Sequence, residues 1–108
     1  MAPKSMNQLR LKARVFYALS DSVRIEILEF IRDGEKCVCE IMPYLNLIQP
    51  VVSRHLKILK DSGLVAYRKE GNKRFYSMAF PEIYKVMDDV TPELATMISK
   101  KILEQAVC

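Results

Sequence analysis

The chain has 108 residues, of which 50% are hydrophobic and 28% are charged, a composition that excludes a disordered or fibrous chain and predicts one globular domain. Its longest stretch without a charged side chain, residues 41–53, is only 13 residues long and contains two prolines, which excludes a membrane span. The N-terminus lacks the apolar block of a secretory signal, so we expect a cytoplasmic protein with no membrane partner.

The positive charge is concentrated in one segment of the chain. Residues 49–76 carry seven basic and two acidic side chains, whereas residues 1–48 carry seven and six, and residues 77–108 carry three and five. A local basic block attracts a polyanion, and nucleic acid is the first candidate. A solvated basic surface explains the charge equally well, so charge alone does not decide the function.

The first part of the chain has apolar residues at steps of three and four, which predicts amphipathic helices. The second of these ends at Asp33-Gly34, because glycine terminates helices readily. Asn46, which tolerates the left-handed conformation, separates the third helix from the fourth. The predicted bounds of the first, third and fourth helices are about 6–19, 38–45 and 49–62.

The hydrophobic period changes after Gly63. The pattern predicts two strands, at residues 64–69 and 74–78. They are joined by a turn in which Gly71 and Asn72 can adopt positive φ angles. After Pro81 the chain is again helical, with a break near residues 90–92. The predicted fold class is therefore mainly α with a small β-hairpin, in a single domain over residues 1–108.

A short helix, a left-handed residue and a second helix form a helix-turn-helix, and the hairpin that follows makes it a winged helix-turn-helix. The fourth helix is then the recognition helix, whose N-terminal half reaches base edges in the major groove. The candidate base contacts are Gln49, Ser53, Arg54 and His55, although His55 also fits a helix-packing role. The candidate phosphate contacts are the cations Lys57, Lys60, Arg68, Lys69, Lys73 and Arg74.

Three motifs carry a family resemblance: CVCEI at the start of the third helix, SRHLKIL in the fourth, and SGLV after it. With them, residues 15–80 resemble the ArsR/SmtB family of metal-responsive repressors. The resemblance implies a helix-turn-helix at 38–62, a wing at 64–79, and a homodimer paired through helix 6–19 and the C-terminal helices 81–106. It also implies a repressor that binds an imperfect palindrome in double-stranded DNA and releases it when a ligand binds. One departure is Ile48, where the family usually has a capping serine.

Cys37 and Cys39 occupy the place of a Cys-Val-Cys block in arsenic-sensing members of that family. On a regular helix their sulfurs would point about 200° apart, so a ligand that binds both needs a frayed or extended first turn. Soft thiolates select thiophilic ions, so we expect arsenite or antimonite as effector, with cadmium, lead or zinc as further candidates and no permanent cofactor. Trivalent arsenic prefers three sulfurs. Met42 replaces the third cysteine of some sensors, so Cys108 is the remaining candidate.

Other interpretations of the cysteines remain open. Cys37 or Cys39 could instead link to Cys108, in a redox or sulfur sensor of the same fold. The thiols could also be inert, in a repressor that a partner protein regulates. A thiol enzyme or metal carrier has little support, because the chain has no Cys-x-x-Cys motif and no βαβ unit. We therefore expect no enzymatic activity.

Overall fold

The computed structural model describes residues 5–107. Its elements are, in chain order, α1 (Met6–Ala18), α2 (Ser22–Phe30), β1 (Lys36–Cys37), α3 (Val38–Leu45), α4 (Gln49–Asp61), β2 (Val65–Glu70), β3 (Lys73–Met78), α5 (Glu82–Asp88) and α6 (Pro92–Val107). This order confirms the predicted class, which is mainly helical with a small β-hairpin after a helix-turn-helix.

Specific side chains and backbone angles fix the helix ends. The Asp21 carboxylate caps α2 by accepting a hydrogen bond from the Val23 N–H at 2.8 Å. Thr91 caps α6 in the same way, accepting from the Leu94 N–H at 3.1 Å. Asn46 ends α3 with a φ of 55°, so the predicted left-handed residue is confirmed and the chain turns there into α4.

The sheet has three antiparallel strands in the order β1-β3-β2. The sequence did not predict β1, because two residues are too short to show alternation. In the β2–β3 turn Gly71 has a φ of 60°, but Asn72 does not have a positive φ, so that part of the prediction was wrong. A positive φ at the first turn residue alone is the pattern of a type II′ hairpin turn, which needs glycine there.

The core lies between α2, α3, α4, the β2–β3 hairpin and α5. Its fully buried side chains include Ile27, Leu28, Ile41, Val52, Leu56 and Leu59. The first and last helices differ, because α1 buries only Ala18 and α6 buries no residue. Apolar side chains on these two helices stay exposed, among them Leu9, Phe16, Ile98, Ile102 and Leu103. Within residues 5–107, no helix is both long and apolar enough to span a membrane.

Candidate functional site

Helix α4 presents a polar face away from the core. Val52, Leu56 and Leu59 are at most 1% exposed, as the sequence predicts, and they fix the orientation of the helix. The helix begins at Gln49 without a side-chain cap, since Ile48 precedes it, and a proline lies in its first turn. The predicted contact residues of its outer side are the exposed Gln49, Arg54, Lys57 and Lys60 and the half-buried Ser53.

The outer face of α4 and the hairpin carry cations that remain available to a polyanion. Lys57 pairs with Asp61 at 2.8 Å, and the Lys60 ammonium lies 4.8 Å from the centre of the Tyr67 ring. Both pairs are exposed, so a phosphate can replace or extend them at little cost. Within residues 5–107, no ion pair to a carboxylate is formed by Arg54, Lys69, Lys73 or Arg74.

Arg68 is engaged in internal contacts. Its guanidinium donates to both carboxylate oxygens of Glu35, at 2.7 and 2.9 Å, and to Glu70 at 2.6 Å. It also lies over the Phe75 ring. The hydrogen bonds from Arg68 hold the pKa of Glu35 below its usual value. Arg68 therefore ties the hairpin to the loop before β1, and its predicted phosphate contact stays a prediction.

His55 packs inward, against the start of α2. Its side chain is 15% exposed, and its Nδ1 lies 3.2 Å from the Arg24 guanidinium and 3.9 Å from the Asp21 carboxylate. The buried Arg24 also donates to the Ala18 and Tyr17 carbonyls, at 2.9 and 3.0 Å. This geometry favours the packing role of His55 over the predicted base contact, because the ring holds α4 against α2.

The charges at this junction act on Asp21. Partial burial opposes ionisation of its carboxyl group, whereas the hydrogen bonds from the Val23 and Arg24 N–H groups favour it. His55 and Arg24 add electrostatic attraction, and the net result is a lowered pKa. Asp21 therefore stays ionised at neutral pH as the cap of α2.

An open cavity of about 530 Å³ lies between α3, α4 and the hairpin. Cys37, Cys39 and Met42 line its α3 side. The rest of its lining includes six predicted DNA contacts: Gln49, Ser53, Lys57, Lys60, Lys73 and Arg74. The candidate sulfur site and the candidate DNA-binding surface therefore share one cavity.

The two sulfurs meet because the chain is extended at Cys37. This residue is the N-cap of α3, with φ −74° and ψ 148°, and its Cα lies 5.0 Å from that of Cys39. The two Sγ atoms are joined in a disulfide, so the expected convergence at an extended first turn is confirmed. Cys37 also closes a capping box, since its N–H donates to the Glu40 carboxylate and its Sγ accepts from the Cys39 N–H.

The pairing limits what else these cysteines do in this structure. Because Cys37 and Cys39 bond to each other, neither is linked to Cys108, which lies outside the described residues. No cluster of three or more His, Cys, Asp or Glu side chains able to hold a metal occurs within residues 5–107. The described part of the chain thus offers a thiophilic ion two thiolate donors in this cavity, once the disulfide is reduced.

Comparison with known proteins identifies the family. Residues 21–67 match the family described as "Bacterial regulatory protein, arsR family". The arsenical resistance operon repressor of Staphylococcus aureus is 40% identical over 76 residues, which cover 70% of this chain and 69% of that protein. This chain belongs to the ArsR family. It is accordingly a winged helix-turn-helix transcriptional regulator and not an enzyme.

Two further comparisons extend the similarity, one in sequence and one in structure. A homologue of the cadmium resistance regulator CadC from Staphylococcus aureus is 40% identical over 67 residues, which cover 61% of this chain and 55% of that protein. A homodimeric winged helix-turn-helix DNA-binding domain from Mycobacterium bovis superposes with a TM-score of 0.69 at 29% identity. The superposition covers 97% of this ArsR-family chain and 95% of that domain.

Sequence reasoning missed two residues of the site. Arg24 lies in phase with the buried Ile27, Leu28 and Ile31, and a cation at that spacing is the signal that could have found it. Glu35 has no such signal, since its partner Arg68 is 33 positions away along the chain. Only the packed structure brings that pair together.

Proposed function

We propose that this ArsR-family regulator is a homodimeric repressor that leaves its operator when a thiophilic metal or metalloid, first of all arsenite, binds reduced Cys37 and Cys39. The names of its relatives support a metal or metalloid effector, with arsenic in one and cadmium in the other. The chemistry of the two donors supports a soft ion, because thiolates favour thiophilic ions over hard ones. As a DNA-binding regulator, it acts in the cytoplasm.

Two copies of the chain form the DNA-binding unit. The exposed apolar residues of α1 and α6 supply the surface through which they pair, and the similar domain from Mycobacterium bovis is a homodimer. A two-fold axis then presents two α4 helices to double-stranded DNA, which accounts for an imperfect palindrome as operator. α3 and α4 form the helix-turn-helix, the β2–β3 hairpin forms the wing, and residues 1–108 act as one domain.

Contacts with DNA divide between the helix and the wing. Gln49, Ser53 and Arg54 lie in the first half of α4, where side chains reach base edges. The exposed cations Lys57, Lys60, Lys69, Lys73 and Arg74 are suited to phosphates, which makes the affinity depend strongly on salt.

The position of Cys37 is the observation that carries the proposal. Through β1 it pairs with Phe75 of the wing, and as N-cap it begins α3, which leads through Asn46 into α4. An ion that imposes its own geometry on both sulfurs therefore acts on the start of α3 and on the wing together. A tenfold to hundredfold loss of DNA affinity requires a coupling of about 1.4–2.8 kcal/mol between the two sites, which is within the usual range.

The test is fluorescence anisotropy of the fully reduced protein on DNA from upstream of its own gene, with and without arsenite. We expect arsenite to weaken binding by tenfold or more in the parent and to have no effect on Cys39→Ser, which keeps its DNA affinity. Cys108→Ser is the matched control, because it removes a thiol outside the pair. An equal arsenite response in Cys39→Ser would exclude the assigned site. A loss of response in Cys108→Ser would identify Cys108 as the third ligand.

A further inference from the structure

The cysteine pair has a second chemical state besides the reduced dithiol. The structure holds Cys37 and Cys39 as a disulfide, in a cavity open to small molecules. We propose that a peroxide oxidises the pair to this disulfide, which closes the effector site while the repressor stays on its operator. This inference rests on the proposed function for the identity of the effector site, and it adds a redox control of that site.

The exposures of the two residues assign the order of the reaction. Cys39 is exposed, whereas Cys37 is 3% exposed, so peroxide reaches Cys39 first. Its thiolate attacks one peroxide oxygen, the O–O bond breaks, and hydroxide leaves and takes a proton to become water. The Cys37 sulfur then attacks the sulfur of the Cys39 sulfenic acid, forms the S–S bond and expels the oxygen as a second water. Two thiols and one peroxide give one disulfide and two waters, a transfer of two electrons.

The disulfide and the bound metalloid exclude each other. A thiophilic ion needs electron pairs from both thiolates, and in the disulfide each sulfur is bonded to the other. Because the two residues flank a single valine, the pair forms within one turn and needs no second element to move. Oxidation therefore removes both described donors at once.

The DNA-binding elements are intact in this oxidised form. Cys37 still caps α3, β1 still pairs with β3, and α4 keeps its buried stripe and its outer polar face. The disulfide is therefore compatible with a fully formed helix-turn-helix and wing. Oxidation is expected to block the arsenite response without releasing the operator.

The experiment uses full-length Cys108→Ser, which retains only the pair. After strict reduction and removal of the reductant, the protein is treated with hydrogen peroxide, and its mass and free thiols are measured. We expect a monomeric chain that has lost two hydrogens and has no free thiol, and full recovery on reduction. Cys39→Ser in the same background cannot form the pair and is the matched control. Sulfinic acid or a disulfide between chains as the main product would overturn the proposal.

Operator binding completes the test. Oxidised protein is expected to bind within about twofold of reduced protein, and arsenite is expected to release only the reduced form. Release of the oxidised form, by oxidation itself or by arsenite, would overturn the inference. If arsenite fails to release the reduced parent protein, which keeps Cys108, the proposed effector is wrong. The mass and DNA-binding measurements still show whether the Cys37–Cys39 disulfide forms and whether the oxidised protein stays bound to the operator.

Discussion

Arg24 is the residue on which the junction between α1, α2 and α4 depends. It is 5% exposed and satisfies two backbone carbonyls at the end of α1 while it contacts His55 of α4. Removing its side chain leaves the buried Ala18 carbonyl without this donor, a loss that costs roughly 1–3 kcal/mol. The Tyr17 carbonyl still accepts from the N–H and the hydroxyl of Ser20. Arg24→Ala is therefore expected to lower the free energy of unfolding by about 1–3 kcal/mol.

Urea unfolding at a fixed protein concentration measures this loss, because dimerisation makes stability depend on concentration. The matched control is Lys85→Ala, which breaks an exposed pair with Asp89 and should change stability by less than about 0.5 kcal/mol. A loss in Arg24→Ala no larger than that of the control would mean that solvent satisfies the Ala18 carbonyl.

At the scale of elements, the Arg68–Glu35 pair holds the wing against the loop before β1. It also engages the Arg68 guanidinium, which is then not available to a DNA phosphate. The lowered pKa of Glu35 means that this tie is complete above the ordinary carboxylate range and is lost only as pH falls through the lowered pKa, so it is intact at neutral pH. Glu35→Gln removes the carboxylate that binds Arg68 through two hydrogen bonds. It leaves Arg68 only the exposed pair with Glu70, which a phosphate can replace at little cost. We expect the salt dependence of DNA binding to steepen by about one unit of slope per subunit.

The measurement is the slope of operator affinity against salt concentration, both on logarithmic scales. Glu82→Gln removes the same charge at the start of α5 and is expected to leave the slope unchanged. An unchanged slope in Glu35→Gln would show that Arg68 does not reach the phosphate backbone even when it is free.

The sequence predicted correctly those features that depend on residues close together in the chain. Asp21, Asn46 and Thr91 mark helix ends because caps and left-handed turns depend on one residue and its near neighbours. It was a poor guide where distant residues meet. β1 exists only because Lys36 pairs with Tyr76 of β3, and His55 turns inward because of Arg24 on another helix. The cavity shared by the sulfurs and the DNA-binding residues follows from such contacts, so no local pattern predicts it.

At the scale of the whole molecule, a single chain leaves apolar side chains of its first and last helices exposed to solvent. On α6, Ile98 is 47% exposed and Ile102 is 60% exposed, and they lie one helical turn apart. An apolar stripe of this kind is typical of a surface that a second copy covers. In a two-fold dimer both subunits contribute the same stripe to the interface, so a single substitution in the sequence changes the interface at two places.

Ile102→Glu is therefore expected to place two carboxylates in the dimer interface and to raise the dimer dissociation constant at least a hundredfold, since burying an unpaired charge costs several kcal/mol. Operator affinity should fall with it, because a monomer contacts only half of a palindrome. Sedimentation equilibrium measures the first effect, and anisotropy on operator DNA measures the second.

Lys100→Gln is the matched control, since it changes the charge equally and lies about 200° away around the same helix. If Ile102→Glu dimerises at the same protein concentrations as the parent, the interface lies on another face of the chain. A different two-fold axis would then relate the two recognition helices that bind one operator.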